Sequence, residues 1–274
     1  METQKGGAMN LLKIFSNFLN RSIFFFILII FLNAYSPSYA ETVTFGYDEW
    51  CPYLCDPDIN NGLKGYMTDI ASTVFQKAGY NTEFKKIPLK RIFMMCRKGE
   101  IDAVLAIYRE DAPDLIFPKS EQGMSSNIFL EGKKNTWKYE DMQSLNRIRK
   151  LGLVGGYEYP AIEKFIRSHP EKITEVNQDE PLKTLLNMIL KDRIDVLMDD
   201  RVVIQYALKK MKLTELFTEA GTPGSPNPVY IAFSPAVPGS EKYAEILVKG
   251  TEKLRKSGEL DKIMNKYGLQ DWKK

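Results

Sequence analysis

The residue best placed to do chemistry in this chain is an arginine just past an apolar run. Residues 101–107 (Ile-Asp-Ala-Val-Leu-Ala-Ile) read as a strand buried on both faces, with Tyr108 and Arg109 at its carboxyl end. In open α/β sheets ligands bind just outside the carboxyl ends of strands. A guanidinium delivered there suits a small anion. The alternative for Arg109 is a surface ion pair with Glu110 or Asp111. A second polar end is Asp199-Asp200, directly before a helical stretch, where either acid can serve as the helix N-cap. Arg91 stands at the start of another helix, positioned either to reach a cleft or to lie on a solvated face.

The elements that must position these residues follow a repeated order. Thr42–Tyr47 alternates as a strand does, and an aromatic loop with Trp50 and Tyr53 follows. Met67, Ile70, Ala71, Val74 and Phe75 fall at helical spacing before Gly79. A strand at 82–86, a helix at 89–97 and the strand 101–107 complete a β-α-β-α-β unit, which implies parallel pairing with right-handed crossovers. The order returns: strands at 151–154, 173–176 and 194–198 alternate with helices opened by Pro160 and Pro181, then a helix over 201–211. A Gly/Pro-dense passage at 221–228 precedes a strand at 229–233, and helices at 240–256 and 259–267 close the chain. Two such units predict two lobes: 41–127 with 228–274, and 128–227. The segments 122–130 and 229–233 are the expected crossings, and the cleft between lobes is the expected site.

Composition narrows the function. The formal net charge is +3 over 274 residues, with no basic stripe for nucleic acid. The single histidine, His169, lies beside Pro170 in a loop, which leaves little material for histidine metal sites or Ser-His-Asp catalysis. No cofactor or metal site is expected. Lys13 and Arg21 precede ten apolar residues at 23–32, and Ser38-Tyr39-Ala40 ends the segment. That pattern predicts a signal peptide cleaved after Ala40 and a periplasmic mature chain; an uncleaved anchor is the alternative. No cysteine follows that site, which argues against a lipid anchor. Three cysteines enter an oxidising compartment. Cys51–Cys55 across the aromatic loop is the favoured disulfide and Cys96, on an apolar stripe with Leu89, Ile92 and Phe93, the buried thiol. Pairing of Cys96 with one of the other two is the rival, and zinc binding is a weaker third.

Taken together, the chain resembles the extracellular solute-binding proteins of family 3, the polar amino acid-binding type. The residues that carry the likeness are Trp50-Cys51-Pro52-Tyr53 with Gly65-Tyr66-Met67-Thr68-Asp69-Ile70, then Gly99-Glu100-Ile101-Asp102-Ala103 leading to Arg109 and Phe117-Pro118, then Gly155-Gly156-Tyr157, and the run from Asp192 to Asp200. The resemblance implies a two-lobed periplasmic binding protein-like (type II) α/β fold, each lobe a mostly parallel sheet flanked by helices. It implies that Arg109 grips a ligand carboxylate, that Asp200 receives an ammonium, and that backbone groups at Gly156 and Tyr157 hold an anion. Trp50 and Tyr53 would wall the site, and Tyr108 adjoins it. The chain departs from the family before Arg109, where Ala106-Ile107-Tyr108 replaces the usual hydroxyl residues, which points away from a standard α-amino acid.

The function expected from the resemblance is a periplasmic receptor, likewise expected to be monomeric, that closes on a small polar metabolite and delivers it to an ABC permease in the inner membrane. An enzyme on the same scaffold, like the cyclohexadienyl dehydratases, is one alternative, with Glu158 as its candidate acid. A periplasmic sensory protein acting in trans is another.

Overall fold

The alternation in Thr42–Tyr47 becomes β1, with Val43 and Phe45 turned into the core. The computed structural model describes residues 40–157, 159–177 and 180–273. From β1 the chain runs through α1 (Tyr66–Lys77), β2 (Asn81–Lys86), α2 (Leu89–Lys98), β3 (Ala103–Ile107) and β4 (Gly123–Ser125). It then builds β5 (Asn127–Gly132), β6 (Leu151–Val154), α3 (Glu163–Ser168), β7 (Ile173–Val176), α4 (Pro181–Leu190), β8 (Val196–Asp200), α5 (Arg201–Met211) and β9 (Phe217–Gly221). It returns with β10 (Asn227–Phe233) and ends on α6 (Ser240–Ser257) and α7 (Glu259–Lys266).

These strands form two five-stranded sheets, β2-β1-β3-β10-β4 and β7-β6-β8-β5-β9. In each, three strands pair in parallel and two more join antiparallel, so four of five point the same way. The result is the expected two-lobed α/β fold with mixed sheets. The chain passes from the first sheet to the second at Ser126 and returns through residues 222–226. The sequence reading put the return crossing on 229–233, but those residues lie wholly in the first sheet, paired on both sides. Strand β9 was not anticipated, because Thr218 and Glu219 interrupt a short run that lies at the sheet edge beside β5.

The two parallel units are built alike. A Cβ on Gly46 in β1 would lie 2.7 Å from Ile101 and 2.8 Å from Ile92 of α2; one on Gly152 in β6 would lie 2.5 Å from Ile194 and 2.6 Å from Leu185 of α4. Each glycine thus lets a helix and an isoleucine close over the middle strand. The aspartate after each isoleucine ties the unit together. Asp102 Oδ2 accepts from the Thr44 N–H and Asp195 Oδ2 from the Lys150 N–H, while each aspartate's own N–H bonds back to a carbonyl of the opening strand or the residue before it. These bonds explain why β3 and β8 begin two residues later than their apolar runs suggest.

Helices α1, α6 and α7 cover one face of the first sheet and α2 the other; α4 and α5 cover one face of the second. Fully burying a Leu, Ile or Phe in such layers contributes about 1.5–3 kcal/mol. Val202, Val203 and Tyr206 of α5 also pack against the first core, so α5 touches both sheets.

Candidate functional site

The loop after β1 is shaped by its own bonds. Trp50 and Leu54 exchange backbone hydrogen bonds at 2.9 and 3.0 Å, and the Cys51–Cys55 disulfide closes the same turn. Cys96 is the buried free thiol, its pKa pushed up to about 12 by burial. The loop's Pro52 and Tyr53 carbonyls accept from the Tyr66 and Met67 N–H groups, satisfying two donors that the first turn of α1 cannot satisfy itself. On this base Trp50 stacks on Tyr53 at 4.1 Å and meets Tyr108 edge-on at 6.1 Å.

Tyr108 arrives by a bulge. Ala106 has φ 54, and the register of β10 against β3 shifts between Tyr230 and Ala232, so β3 carries an extra residue there. The bulge re-aims the strand end. Tyr108, half-buried, donates its hydroxyl to Ser125 Oγ at 2.8 Å, and burial raises its pKa to about 12. Arg109 takes the next position and is exposed. Its guanidinium lies 4.5 Å from the Phe117 ring centre and 5.0 Å from that of Tyr230. Arg91 is exposed on the first turn of α2.

The second sheet presents acids. Asp200 is the N-cap of α5: Oδ1 accepts from the Val202 and Val203 N–H groups at 2.9 and 3.1 Å. Oδ2 accepts from the Ser126 N–H at 3.0 Å, in the crossing segment. The Tyr53 hydroxyl, which donates to the Met124 carbonyl at 2.7 Å, also lies 3.2 Å from both Asp200 oxygens. Asp200 therefore joins the aromatic loop, the crossing and α5 at one buried point. Burial raises its pKa despite these donors, and burial also holds the Tyr53 hydroxyl well above its ordinary value.

Asp199 differs. It is 5 % exposed, and burial, reinforced by the neighbouring Asp200 charge, raises its carboxyl to about 7. Past β6, Gly156 turns left-handed at φ 80 and leaves Tyr157 exposed, ahead of a short 3-10 turn at Pro160–Ile162. The anion-holding helix start expected at Gly156 and Tyr157 is therefore a turn followed by a single 3-10 turn. Tyr159 ties its hydroxyl to Val154, accepting from its N–H at 3.0 Å. Partial burial, and after it the Asp199 and Asp48 charges, raise the pKa of the Tyr157 hydroxyl. Glu158 lies outside the described residues.

The structure thus gathers Trp50, Tyr53, Tyr108 and Asp200 around the crossing at Ser126, and leaves Tyr157 exposed on the turn after β6. It does not bring Arg91 or Arg109 into that group. Sequence reasoning missed Asp199 as more than a rival cap, and missed Ser125, Ser126 and Asp48. The available signal was the Asp-Asp pair itself: one acid caps the helix, and the other is left over. Among the described residues no group of three or more His, Cys, Asp or Glu could hold a metal ion, and no helix is long and apolar enough to cross a membrane.

The model of the bacterial extracellular solute-binding proteins, family 3, matches residues 43–270. The chain belongs to this family. A family 3 solute-binding protein works outside the cytoplasmic membrane and takes a small-molecule ligand. Among solved structures this one is similar to a polar amino acid ABC uptake transporter substrate binding protein from Streptococcus thermophilus, at 19% identity and TM-score 0.63, covering 82% of this chain and 85% of that one. It is similar to an ancestral amino acid-binding protein described as a precursor of cyclohexadienyl dehydratase, at 19% and 0.58, covering 82% and 94%. It is also similar to a histidine kinase sensor domain with similarity to periplasmic binding proteins, at 17% and 0.60, covering 85% and 99%. At these identities the likeness is one of fold. A search of the curated proteins finds no match.

Proposed function

We propose that this solute-binding protein is a monomeric periplasmic receptor that closes on a small polar metabolite, an amino acid or a related zwitterionic compound, and presents it to an ABC permease. In this reading residues 1–40 are a signal peptide removed after Ala40. The lobes are 41–127 with 228–274, and 128–227. The observation that carries the reading is the pair of sheets that the chain connects through two short crossings, with Trp50, Tyr53 and Tyr108 from the first unit and Tyr157, Asp199 and Asp200 from the second. Two crossings supply a hinge, and a ligand that touches both sides favours the closed arrangement by its differential affinity. Arg109 and Arg91 stand outside this wall, and the reading does not rest on them.

Native mass spectrometry of protein recovered from the periplasm tests it. The expected result is a chain beginning at Glu41 that carries a retained small-molecule mass. A bare chain that also shows no thermal shift across a panel of polar metabolites would overturn the reading.

One observation favours a second reading. Dehydratase chemistry needs a carboxylic acid kept neutral, and Asp199 is a buried acid at the carboxyl end of β8 whose carboxyl burial raises to about 7. Incubation with prephenate or arogenate decides: phenylpyruvate or phenylalanine in the product would replace the pure binder with an enzyme.

A further inference from the structure

A cavity of about 520 Å³ lies at the junction of the two units, apart from the group around Asp200: Trp50, Tyr53, Tyr108, Asp199 and Asp200 are all absent from its wall. Ser126 of one crossing and Pro226 of the other line it. Helix α5 adds Arg201 and Gln205 from the second unit, and the first adds Tyr66 from α1 and Trp272 from the carboxyl tail.

The aromatic part of this wall is held before any ligand arrives. Trp272 donates its indole N–H to Glu121 Oε1 at 3.0 Å, and the Arg255 guanidinium lies 4.9 Å from its ring centre. Arg255 is itself fixed by the buried Asp271 at 2.6 Å. The Tyr66 and Trp272 ring centres are 6.5 Å apart. Rings already locked in place cost little further ordering when a flat molecule settles against them.

The polar groups here are incompletely used. Tyr66 is 2 % exposed, yet its hydroxyl takes no hydrogen bond among the described residues and is not sealed off, since Tyr66 lines the cavity. That hydroxyl rests over Gly123, where a Cβ would lie 2.2 Å from it. Arg201 gives Nε and Nη2 to Glu219 at 3.2 and 2.5 Å, and its Nη1 is unengaged among the described residues. Gly268 also lines the cavity, and a Cβ on it would lie 2.5 Å from Lys209 Nζ, so this ammonium stands at the rim. Lys209 pairs with no acid among the described residues, whereas Glu121 and Asp271 have cations of their own in Lys273 and Arg255. Arg201 and Lys209 against the single Glu219 leave a positive surplus beside two aromatic rings.

We propose that this cavity is a second ligand site and that it takes a small aromatic carboxylate, its ring against Tyr66 and Trp272 and its acid group toward Arg201 and Lys209. The inference goes beyond the receptor reading above and does not depend on it.

Calorimetry on the full mature protein tests it with indole-3-acetate and 4-hydroxyphenylacetate as probes, indole-3-acetamide as the ring without charge, and acetate as the charge without a ring. The expected result is that an aromatic acid binds at least about tenfold tighter than the amide and that acetate does not bind. Gln205→Trp, an exposed position that would fill the cavity, should abolish this binding, and Lys209→Gln should weaken it about threefold or more, each variant checked for a cooperative thermal melt. Equal binding of acid and amide would overturn the proposal. So would unchanged affinity in the folded Gln205→Trp variant, which would put the probe elsewhere on the molecule, or the failure of both aromatic acids to bind. None of these results touches the receptor reading, which the retained mass in native spectrometry judges separately.

Discussion

At the carboxyl end of β3 the backbone bulges at Ala106 and delivers Tyr108 and then Arg109; at the carboxyl end of β8 it delivers Asp199 and Asp200 and turns directly into α5. The frames beneath these two ends are near copies, down to the glycine in the middle strand and the Ile-Asp pair before the last one. What differs is how each end is held. The first is held by side chains from a distant loop, Trp50 against Tyr108 and a disulfide behind them. The second is held by backbone, through the cap of α5 and the Ser126 N–H. A βαβαβ unit therefore leaves its strand ends chemically uncommitted, and the elements docked on them decide the site.

The largest break should come at Asp200. Asp200→Ala removes the cap, the Ser126 acceptor and the Tyr53 partner together, leaving buried donors unpaired, and should cost about 3–5 kcal/mol in urea unfolding. A loss below 1 kcal/mol would mean that the second end is not held from this residue. The first end should be less sensitive. Cys51→Ser with Cys55→Ser frees a short loop and should cost about 2 kcal/mol by loop-closure entropy, with one accessible thiol, Cys96, in the denatured wild type and three after reduction.

Asp199 should respond with the opposite sign to its neighbour. Its folded pKa of about 7 exceeds the ordinary 3.8, so its contribution is fully present below pH 4 and is lost as pH rises to 7. Asp199→Asn should therefore stabilise the unliganded protein at pH 8, by roughly 1–3 kcal/mol, and flatten its stability profile between pH 4 and 7. Paired acids such as Asp114 with Arg97, whose pKa is lowered, pull the other way as pH falls, so the comparison is variant against wild type across the same series. The smallest effect belongs to Arg109→Ala. An exposed guanidinium over two rings contributes about 0.5–1 kcal/mol, visible as a shift in melting temperature of a few degrees at most.

The regular frame was legible because periodicity and breakers encode it locally. Thr42–Tyr47, Leu151–Val154 and Arg201–Met211 have the bounds their patterns suggest. The site was legible in part. Trp50, Tyr53, Tyr108, Asp200 and Tyr157 could be named, but not how they meet, since Tyr53 and Asp200 touch across 147 residues of sequence. Arg109 read as an inward cation because nothing local reveals that Phe117 and Tyr230 form a platform for it. The left-handed Ala106 left no trace, because alanine carries no signal for that backbone. Strand β9 lacked any apolar run long enough to stand out from the loop beside it.

The return of β10 has a consequence for how the chain is assembled. Ile107 pairs with Tyr230, so the open edge of β3 waits while the whole second sheet is made and threaded through between them. Closing a loop of that length as loose chain would cost (3/2)RT ln n in entropy, but a folded insert brings its two ends, at Asn127 and Gly221, side by side across β5 and β9. Phe129 already pairs with Gly221 there, so once the second sheet forms, only a few residues separate β4 from the strand that must slot in beside it. The inserted unit thereby acts as a clasp for its host, and completes the fold of the unit that it interrupts in sequence.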